Sequence, residues 1–500
     1  MSVGNPACWT GAGFTYDTCC DDRHGPMGNQ ECWTGDYTYN FCCPNRADQV
    51  PCWDEARYFL HSSGDALASH PALQEDANLA KFCCWPTAFS SQLCWGAGRE
   101  EGSAMLRDDM SQEGLNFTSR WVDCCLGPLH EALQTETPDW MDQQLEKDLA
   151  PWEQRGPFSK EDLDAFEATV EAAGRGQEWC RFTVRGGKIL HCDFGRSKYV
   201  ALLHNLRNAL HVLQVAAGLP DMEFFVLLNE ASCVAELSLT DATGAALDIG
   251  KIPVLVQAQP EGCGGVLMPW WAYLQLDWTK LYGQRVERVS AETPWAKRAS
   301  KLFWRGSDTG CLLPESCTEG RCACANWTSS TWPRFPRSRL VLASMLMPKR
   351  IDAKFTKNIC HWDCAEVFDG ADLWIDELIP PEQHVNHKYL MYIDGTSFSD
   401  RLYWLMLTGS LVFKAESQLK VWLDQGLVPW EHFMPVAEDL SDLVDRLDWA
   451  TQNEEESERI ATMANRFATR YLSLEGSLHY LHLLLRRLAG TLTPADGGAA

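Results

Sequence analysis

The sequence predicts an α/β protein with parallel β-sheets, preceded by a small cysteine-rich region. From about Gln177 onward, apolar runs of strand length alternate with amphipathic helical patterns, the order in which βα units build parallel sheets. The stretch from 177 to 488 is long enough for two such sheets. Upstream, 12 of the 22 cysteines fall within the first 125 residues, a density typical of regions stapled by disulfides.

Charge and hydropathy exclude several classes of partner. A net charge of -25 and a pI of about 4.9 give a surface that repels phosphate backbones, so we expect no nucleic-acid partner. No apolar run approaches about 18 residues, so we expect no transmembrane segment in this chain. The first residues, MSVGNPACWTG, show no signal peptide. The cysteines nevertheless indicate an oxidising lumen, so we expect the endoplasmic reticulum, the Golgi or secretion, with an incomplete N-terminus.

Residues 1–126 contain a repeated unit in which a Cys-Trp pair is followed by a Cys-Cys pair. The four copies are Cys8-Trp9 with Cys19-Cys20, Cys32-Trp33 with Cys42-Cys43, Cys52-Trp53 with Cys83-Cys84, and Cys94-Trp95 with Cys124-Cys125. Each copy is too short to bury a core alone, so disulfides are expected to staple it. Adjacent cysteines suit tetrahedral zinc poorly, and we expect no metal here.

Residues 127–176 form an acidic segment that we expect to be a helical linker. Its second helical pattern opens with a Ser-x-x-Asp cap. Asp162 and Asp164 in that helix have the Asp-x-Asp form that some metal-dependent transferases use. In an acidic amphipathic helix, however, such a pair is more often a solvated face.

Residues 177–290 predict the first sheet. WCRFTVRGGKILHCD indicates a hairpin with a Gly-Gly turn, and KYVALLHNLRNALHVLQVAAG a helix that ends at Gly218. DMEFFVLLNE is a buried strand whose polar end, Asn229 and Glu230, lies where open α/β sheets hold ligands. IPVLVQAQ predicts a second strand, followed by the aromatic segment GGVLMPWWAY. Five tryptophans are expected in the core or between lobes rather than as sugar-stacking platforms: Trp270, Trp271, Trp295, Trp404 and Trp430.

Residues 291–488 predict the second sheet, and residues 489–500 a disordered tail. KLFWRGSDTG is a strand that emerges into a Gly-Ser loop, and KYLMYIDGTSFSDRLYWLMLTGSLVFK is a strand, a loop and a helical pattern. Glycine, hydroxyls and an arginine where a strand turns into a helix are suited to an anion, since helical N–H groups point outward there. Taken singly, such a turn is usually only a turn.

Several of these blocks occur in the order found in a known family. KLFWRGSDTG, RSRLVLAS, the stretch from Lys388 to Lys414, GLVPWEHFMPV and DLSDLVDRLDWA resemble successive blocks of glycosyltransferase family 90, which includes Rumi-type protein O-glucosyltransferases. LPDMEFFVLLNE and TPWAKRASKLFWRG are similar to earlier blocks, so the resemblance covers roughly 177 to 488. It implies a GT-B fold, in which two Rossmann-like lobes flank a cleft, at 177–290 on the acceptor side and 291–488 on the nucleotide-sugar side.

The resemblance also implies site residues. An inverting transfer needs one general base, and the position of the family's aspartate matches Glu230. The donor-binding residues implied are Arg305, Gly306, Ser307, Arg337, Asp394, Gly395, Thr396, Ser397, Ser399 and Arg401. Residues 311–333 look like an insertion relative to the family, which leaves Arg334 and Arg339 as alternatives to Arg337.

The function expected from this resemblance is metal-independent transfer of glucose or xylose from UDP-glucose or UDP-xylose to a protein or glycan hydroxyl. No cofactor is expected, because guanidinium and amide groups can neutralise the leaving pyrophosphate. One alternative is an inactive GT-B protein that binds glycans or proteins through its cysteine repeats. Another is a metal-dependent transferase.

Overall fold

The computed structural model describes residues 129–172, 176–192, 200–228, 252–270, 273–274, 283–309, 332–357, 373–375, 379–395 and 397–492. Apart from 129–131, these residues belong to one compact unit, Ala132–Ala500. The predictions for the cysteine repeats, for most of the 311–333 insertion, for Thr396 and for Glu230 lie outside the described residues.

The secondary structure alternates strands and helices as the sequence predicts. The strands are β1 (Trp179–Arg185), β2 (Lys188–His191), β3 (Met222–Leu227), β4 (Val254–Val256), β5 (Ala258–Pro260), β6 (Val266–Leu267), β7 (Ala299–Ser307), β8 (Ile351–Lys357), β9 (His387–Tyr392), β10 (Leu411–Ala415), β11 (Leu419–Val421) and β12 (Met434–Val436). The α-helices are α1 (Asp139–Arg155), α2 (Lys160–Ala172), α3 (Val200–Ala217), α4 (Gly283–Glu292), α5 (Pro336–Leu346), α6 (Leu402–Leu407), α7 (Leu443–Gln452), α8 (Glu454–Tyr471) and α9 (Leu474–Ala489).

The first sheet has the strand order β2-β1-β3-β4-β6 and is mixed. β3, β4 and β6 are parallel, whereas β1 pairs antiparallel with both β2 and β3. The predicted hairpin is confirmed, with Gly186 and Gly187 at φ 55° and 77° in its turn, values that glycine adopts without strain. The prediction of a parallel sheet is therefore wrong for this half of the sheet, because the hairpin adds antiparallel strands to it.

The acidic segment is packed into the unit. α1 and α2 each bury an apolar stripe, and Phe166 of α2 lies 4.8 Å from Phe225 of β3 between ring centroids. The predicted cap is present: the Ser159 N–H donates to the Asp162 carboxylate at 2.8 Å, and the Asp162 N–H to the Ser159 hydroxyl at 3.3 Å. Asp164 pairs with a lysine and an arginine. The segment predicted as a linker thus contributes apolar side chains to the core. These were not apparent from its overall acidic composition.

The second sheet has the order β12-β10-β9-β7-β8, and all its pairs are parallel, as predicted. β9 and β10 are almost continuously buried, as expected where helices cover both faces of a parallel sheet, whereas β8 at the sheet edge alternates between buried and half-buried residues. Trp304, Phe355, Tyr389 and Phe413 lie at the centre of the core and are almost completely buried. This sheet places the ends of β7 and β9 side by side.

The end of the chain is helical, as predicted, and returns to the first half of the unit. α9 begins at a cap in which the Ser473 hydroxyl accepts the Gly476 N–H, and it contacts both α1 and α3. Arg487 of α9 forms ion pairs with two glutamates of α1. Beyond α9, the Thr491 carbonyl accepts the N–H of Phe158 at 3.1 Å.

A short antiparallel ladder joins chain segments from the two sheets. The sequence predicts one strand in IPVLVQAQ, but the structure has β4 in the first sheet and β5 paired with β11. The two strands are separated at Gln257, where the chain leaves the first sheet. Of the helices described, none is long and apolar enough to cross a membrane.

Candidate functional site

The candidate site lies at the carboxyl ends of β7 and β9, which are neighbours in the second sheet. Parallel strands end at one edge, so the loops that follow them converge there. Ser307 ends β7, and Asp394 and Gly395 follow β9. The first turn of α5 brings Arg337 to the same edge. Arg337 thereby forms a hydrogen bond with Thr309, which lies 28 residues earlier in the sequence.

Arg337 ties the two strand ends together. Its Nε donates to the Asp394 carbonyl at 3.0 Å and its Nη2 to the Ile393 carbonyl at 3.2 Å. Its Nη1 donates to the Ser307 carbonyl at 3.0 Å and to the Thr309 hydroxyl at 2.7 Å. The side chain is buried, so these bonds satisfy most of the donors that burial removes from water.

The structure places the three candidate arginines of this segment in different surroundings. Arg334 is exposed, and Arg339 donates to the Asp439 carbonyl at 3.2 Å. Arg337 alone of the three contacts the ends of both strands. The sequence left this choice open because the insertion obscures the spacing.

Arg401 lies at the same edge but is held by fewer contacts. Its guanidinium carbon lies 5.8 Å from the ring centroid of Trp304, and that of Arg337 lies 5.7 Å from the same ring. Within the described part of the chain, the Arg401 guanidinium donates one hydrogen bond, to the Arg305 carbonyl. A guanidinium carries five N–H donors, so Arg401 has donors left for a ligand.

Burial lowers the pKa values of both arginines. For Arg337, burial and the positive charge of Arg401 together lower the pKa to about 9, against the opposing carboxylates of Asp394 and Asp400. Burial also lowers the pKa of Arg401, while the neighbouring Asp400 carboxylate opposes that shift. Burial in turn raises the pKa of Asp400, against both guanidinium groups. Two cations that repel each other in a desolvated place favour binding of an anion.

The two glycines make room for these arginines. A Cβ at Gly395 would lie 2.9 Å from Nη2 of Arg337, and a Cβ at Gly306 would lie 2.5 Å from the Trp304 ring and 3.0 Å from Nη1 of Arg401. At each glycine the shortest of these distances is below 3.0 Å, so a side chain would fit only with displacement of its neighbours. Glycine is therefore needed here for close approach of the protein's own side chains.

Arg305 lies apart from this group. Its guanidinium forms an ion pair with the Asp352 carboxylate at 2.7 Å and stacks 4.2 Å from the centroid of Phe303. Alternate residues of a strand point to opposite faces, so Arg305 and Trp304 are on different faces of β7. The structure does not bring Arg305 together with Arg337 and Arg401.

The loop after β9 is held by internal hydrogen bonds. The Gly395 N–H donates to the Ser397 carbonyl at 2.8 Å, and the Ser399 N–H donates to the Asp394 carboxylate at 3.1 Å. Both serines are buried. The expectation that a helix start presents open amides at Gly395 is therefore wrong, because α6 begins only at Leu402 and these amides have partners.

An aromatic pocket beside this loop was missed in the sequence. It is lined by Gln257, Trp270, Tyr273, Tyr392, Phe398, Ser399, Leu402, Val421, Trp422 and Leu423, and its cavity volume of about 10 Å³ is room for about one water molecule. Trp270, expected in the core or between lobes, lines this pocket and packs edge-on against Phe398 at 5.5 Å between ring centroids. A glutamine inside the apolar run IPVLVQAQ was the available signal.

Metal-ligand residues are not clustered in the described ranges. No group of three or more His, Cys, Asp or Glu side chains there is placed to hold a metal ion. The charged groups available to a ligand at this edge are therefore the two guanidinium groups and their carboxylate neighbours.

Comparison with known proteins places the chain in a family. The family model described as Glycosyl transferase family 90 matches residues 134–312 and 318–494, which is more than half of the chain. The chain belongs to glycosyltransferase family 90. The match begins well before 177, so this family 90 chain includes α1 and α2 in the shared region. It also resumes at 318, within the segment that looked like an insertion.

Relatives of this family 90 chain carry informative names. It is 25% identical over 361 residues to protein O-glucosyltransferase 2 of Danio rerio, covering 69% of this chain and 61% of that protein. It is 27% identical over 286 residues to protein O-glucosyltransferase 1 of Rattus norvegicus, covering 55% and 64% respectively. The matches thus span less than two thirds of either relative.

One solved structure shows a weak likeness. The crystal structure of Anabaena HepE in complex with UDP-glucose matches at a TM-score of 0.25 with 10% identity, covering 42% of this chain and 52% of HepE. A likeness this weak supports no statement about the fold or ligand of the family 90 chain.

Proposed function

We propose that this family 90 chain is an inverting, metal-independent glycosyltransferase that moves glucose or xylose from a UDP-sugar to a hydroxyl of a protein or glycan acceptor. The observation that carries the proposal is the pair of guanidinium groups of Arg337 and Arg401 over Trp304. Family membership supports the reaction class, and the names of the relatives support a protein acceptor.

The proposed fold is GT-B, with the donor in a cleft between two Rossmann-like lobes. Two five-stranded sheets support this arrangement, since each contains parallel strands, and ligands of open α/β sheets generally bind at the carboxyl ends of such strands. Residues following β4 and β6 of one sheet and β9 of the other line the same pocket. That convergence is what a donor cleft between two lobes requires.

In the proposed reaction, the acceptor hydroxyl oxygen attacks the anomeric carbon from the face opposite UDP. The bond to the β-phosphate oxygen breaks, and its electron pair leaves with UDP. The hydroxyl proton passes to the carboxylate of Glu230, which follows β3 in the sequence. Attack from the opposite face inverts the anomeric configuration, and one base is sufficient.

Arg401 and Arg337 have different electrostatic roles in the proposed reaction. Negative charge grows on the pyrophosphate as the glycosidic bond breaks, and fixed positive charge in a desolvated site stabilises that state. Arg401 supplies donors to the phosphate oxygens, and Ser307 and Thr396 add hydroxyl donors. Arg337 holds the two strand ends together and adds a second positive charge next to Arg401. The proposed mechanism therefore needs no metal or other cofactor.

The proposed compartment is the lumen of the secretory pathway, either the endoplasmic reticulum or the Golgi, or the extracellular space. The cysteines support it: Cys180, Cys192 and Cys263 are all disulfide-bonded in the described residues. Disulfides form and persist in such oxidising compartments.

Calorimetric titration of the full chain with UDP tests the proposal. Arg401→Ala should weaken UDP binding by at least about tenfold, because a charge-assisted hydrogen bond contributes about 1.5–3 kcal/mol. Arg305→Ala is the matched control: it removes the same group from the other face of β7 and should leave UDP affinity unchanged. Transfer from UDP-glucose or UDP-xylose to an acceptor should persist in EDTA.

Two results would contradict the proposal. Equal UDP affinities in the natural chain and in Arg401→Ala would show that Arg401 does not bind the phosphates of UDP. Loss of transfer in EDTA with recovery on adding a divalent cation would replace the metal-independent mechanism by a metal-dependent one.

A further inference from the structure

Trp304 lies beside both arginines of the candidate site, although it is a core residue. It belongs to β7, and its side chain is 2% exposed within the core of the second sheet. The guanidinium carbons of Arg337 and Arg401 lie 5.7 Å and 5.8 Å from the centroid of its ring. Both distances are within the roughly 6 Å over which the face of an aromatic ring attracts a cation. One indole therefore interacts with both cations of the site.

The backbone after Trp304 leaves room for this arrangement. A Cβ at Gly306 would lie 2.5 Å from Cζ2 of Trp304 and 3.0 Å from Nη1 of Arg401. The six-membered ring of the indole and the Arg401 guanidinium thus approach the same point of the backbone. A side chain at position 306 would displace one of them, so glycine keeps the ring and the guanidinium close together.

The opposite face of β7 holds an arginine in a different way. Arg305 stacks on Phe303, with its guanidinium carbon 4.2 Å from the ring centroid, and forms an ion pair with the Asp352 carboxylate at 2.7 Å. That carboxylate cancels the formal charge of the guanidinium. An arginine bound in this way attracts a further anion only weakly, because the anion is repelled by the carboxylate already there.

The guanidinium groups beside Trp304 have no such carboxylate partner in the described part of the chain. All the hydrogen bonds that Arg337 and Arg401 donate to described residues go to carbonyl or hydroxyl oxygens. Burial lowers the pKa values of both arginines, and repulsion from Arg401 adds to the shift of Arg337. An aromatic face attracts a cation without carrying a formal charge. The indole therefore stabilises two buried cations and leaves their net positive charge available to an anion.

We propose that Trp304 is a positioning residue, whose indole ring holds the guanidinium groups of Arg337 and Arg401 next to each other for the pyrophosphate of UDP. The inference rests on the proposed function. Without the ring, the two groups repel each other, and the nearby carboxylates of Asp394 and Asp400 become their alternative partners. A guanidinium that has turned to a carboxylate must leave it before it binds a phosphate, so loss of the ring lowers UDP affinity.

The experiment is calorimetric titration of the full chain with UDP, for the natural sequence and for Trp304→Leu and Trp304→Phe. Trp304→Leu should bind UDP at least about tenfold more weakly, because it removes the aromatic ring. Trp304→Phe should bind UDP about threefold more weakly, because the face of phenylalanine attracts a cation less than that of tryptophan. The phenylalanine variant keeps the test decisive if the leucine variant does not fold.

Phe413→Leu is the matched control for a ring with a purely structural role. Phe413 is completely buried in the same core, so its loss should lower the thermal midpoint and leave UDP affinity unchanged. If UDP affinity instead follows the thermal midpoint in all three variants, the role of Trp304 is structural and the inference is wrong. Unchanged or tighter UDP binding in Trp304→Phe would also overturn it.

Arg401→Ala separates this inference from the proposed function. A natural chain that does not bind UDP, or an Arg401→Ala variant that binds it equally well, refutes the proposed function. Loss of UDP affinity in Arg401→Ala without any loss in the two Trp304 variants refutes the inference alone.

Discussion

Two arginines at the candidate site differ in how many of their donors the protein itself uses. Arg337 donates to backbone carbonyls at the ends of two strands, whereas Arg401 donates to one carbonyl in the described structure. A saturated guanidinium positions the backbone, and an unsaturated one can contact a ligand. Arg337 is therefore a positioning residue in the proposed reaction, and Arg401 is the residue that touches the phosphates.

Asp148 of α1 is another buried ionisable side chain, and it has no part in the proposed reaction. Its carboxylate accepts hydrogen bonds from the Gln144 amide and the Leu267 N–H, both at 3.1 Å. Burial raises its pKa from 3.8 to about 6, and the nearby Asp424 carboxylate adds to the rise. The folded state therefore binds this proton more tightly than the unfolded chain does.

This shift predicts a stability change with pH. Because the folded pKa is the higher one, the contribution of Asp148 is fully present below pH 3.8 and is lost as the pH rises through about 6. At about 1.4 kcal/mol per pKa unit, the loss amounts to about 3 kcal/mol. Asp148→Asn keeps an oxygen that accepts both hydrogen bonds, so it should be more stable than the natural chain at pH 7 and similar to it near pH 4.

Urea unfolding at pH 4, 5, 6 and 7 measures this difference. Asp142→Asn, exposed on the same helix, is the control and should follow the natural chain at every pH. If the curves of Asp148→Asn and the natural chain run parallel across the range, the carboxylate does not titrate as described.

At the scale of single elements, a disulfide bond links the two strands of the β1–β2 hairpin. Cys180 of β1 is bonded to Cys192 just after β2, and the Cys192 N–H donates to the Arg181 carbonyl at 3.1 Å. The bridge closes a loop over a sequence separation of 12 residues. Such a loop restricts the unfolded chain, which is the usual source of disulfide stabilisation.

Replacing both cysteines by alanine should lower the free energy of unfolding by about 2–3 kcal/mol, the value for loops of this length. Chemical denaturation of the double variant isolates this bridge, whereas a reductant would also open the bond at Cys263. An unchanged unfolding midpoint would mean that the turn glycines alone hold the hairpin.

Local sequence patterns predicted these elements where a local cause forms them. The hairpin followed from its glycine pair, the end of α3 from Gly218, and β7 and β9 from their apolar runs. The disulfide could have been predicted as well, since its cysteines flank a predicted hairpin. The pairing of β5 with β11 could not, because partners about 160 residues apart leave no local pattern.

The site shows the same limit. Ser307, Asp394 and Arg401 follow from strand ends that any parallel sheet brings to one edge. Strand alternation could have separated Arg305 from Gly306, whereas the choice of Arg337 required the tertiary contacts across β7 and β9. The position of Gln257 in the pocket lining could not be predicted, because a polar residue in an apolar run does not reveal which distant residues surround it.

At the scale of the whole unit, one aromatic cluster connects its first helix to its last ones and to the pocket. Trp140 of α1 lies 5.8 Å from Trp422, 5.7 Å from Phe467, 5.5 Å from Tyr471 and 6.2 Å from Tyr480 between ring centroids. Trp422 also lines the pocket. Because α1 contacts β6 and α9 contacts α1 and α3, the first sheet is packed against helices from the end of the chain.

This arrangement predicts that residues 132–500 unfold as one cooperative transition. Trp140→Ala should lower the free energy of unfolding by about 1–3 kcal/mol, less than for a fully buried aromatic because Trp140 is only partly buried, and the transition should stay single. Scanning calorimetry with and without UDP identifies the transition, because a ligand of the folded unit raises its midpoint. Leu346→Ala, at a side chain 82% exposed, is the control and should leave it in place. If Trp140→Ala instead yields two transitions, only one of which responds to UDP, the two sheets fold independently and the cluster is a contact between separate bodies.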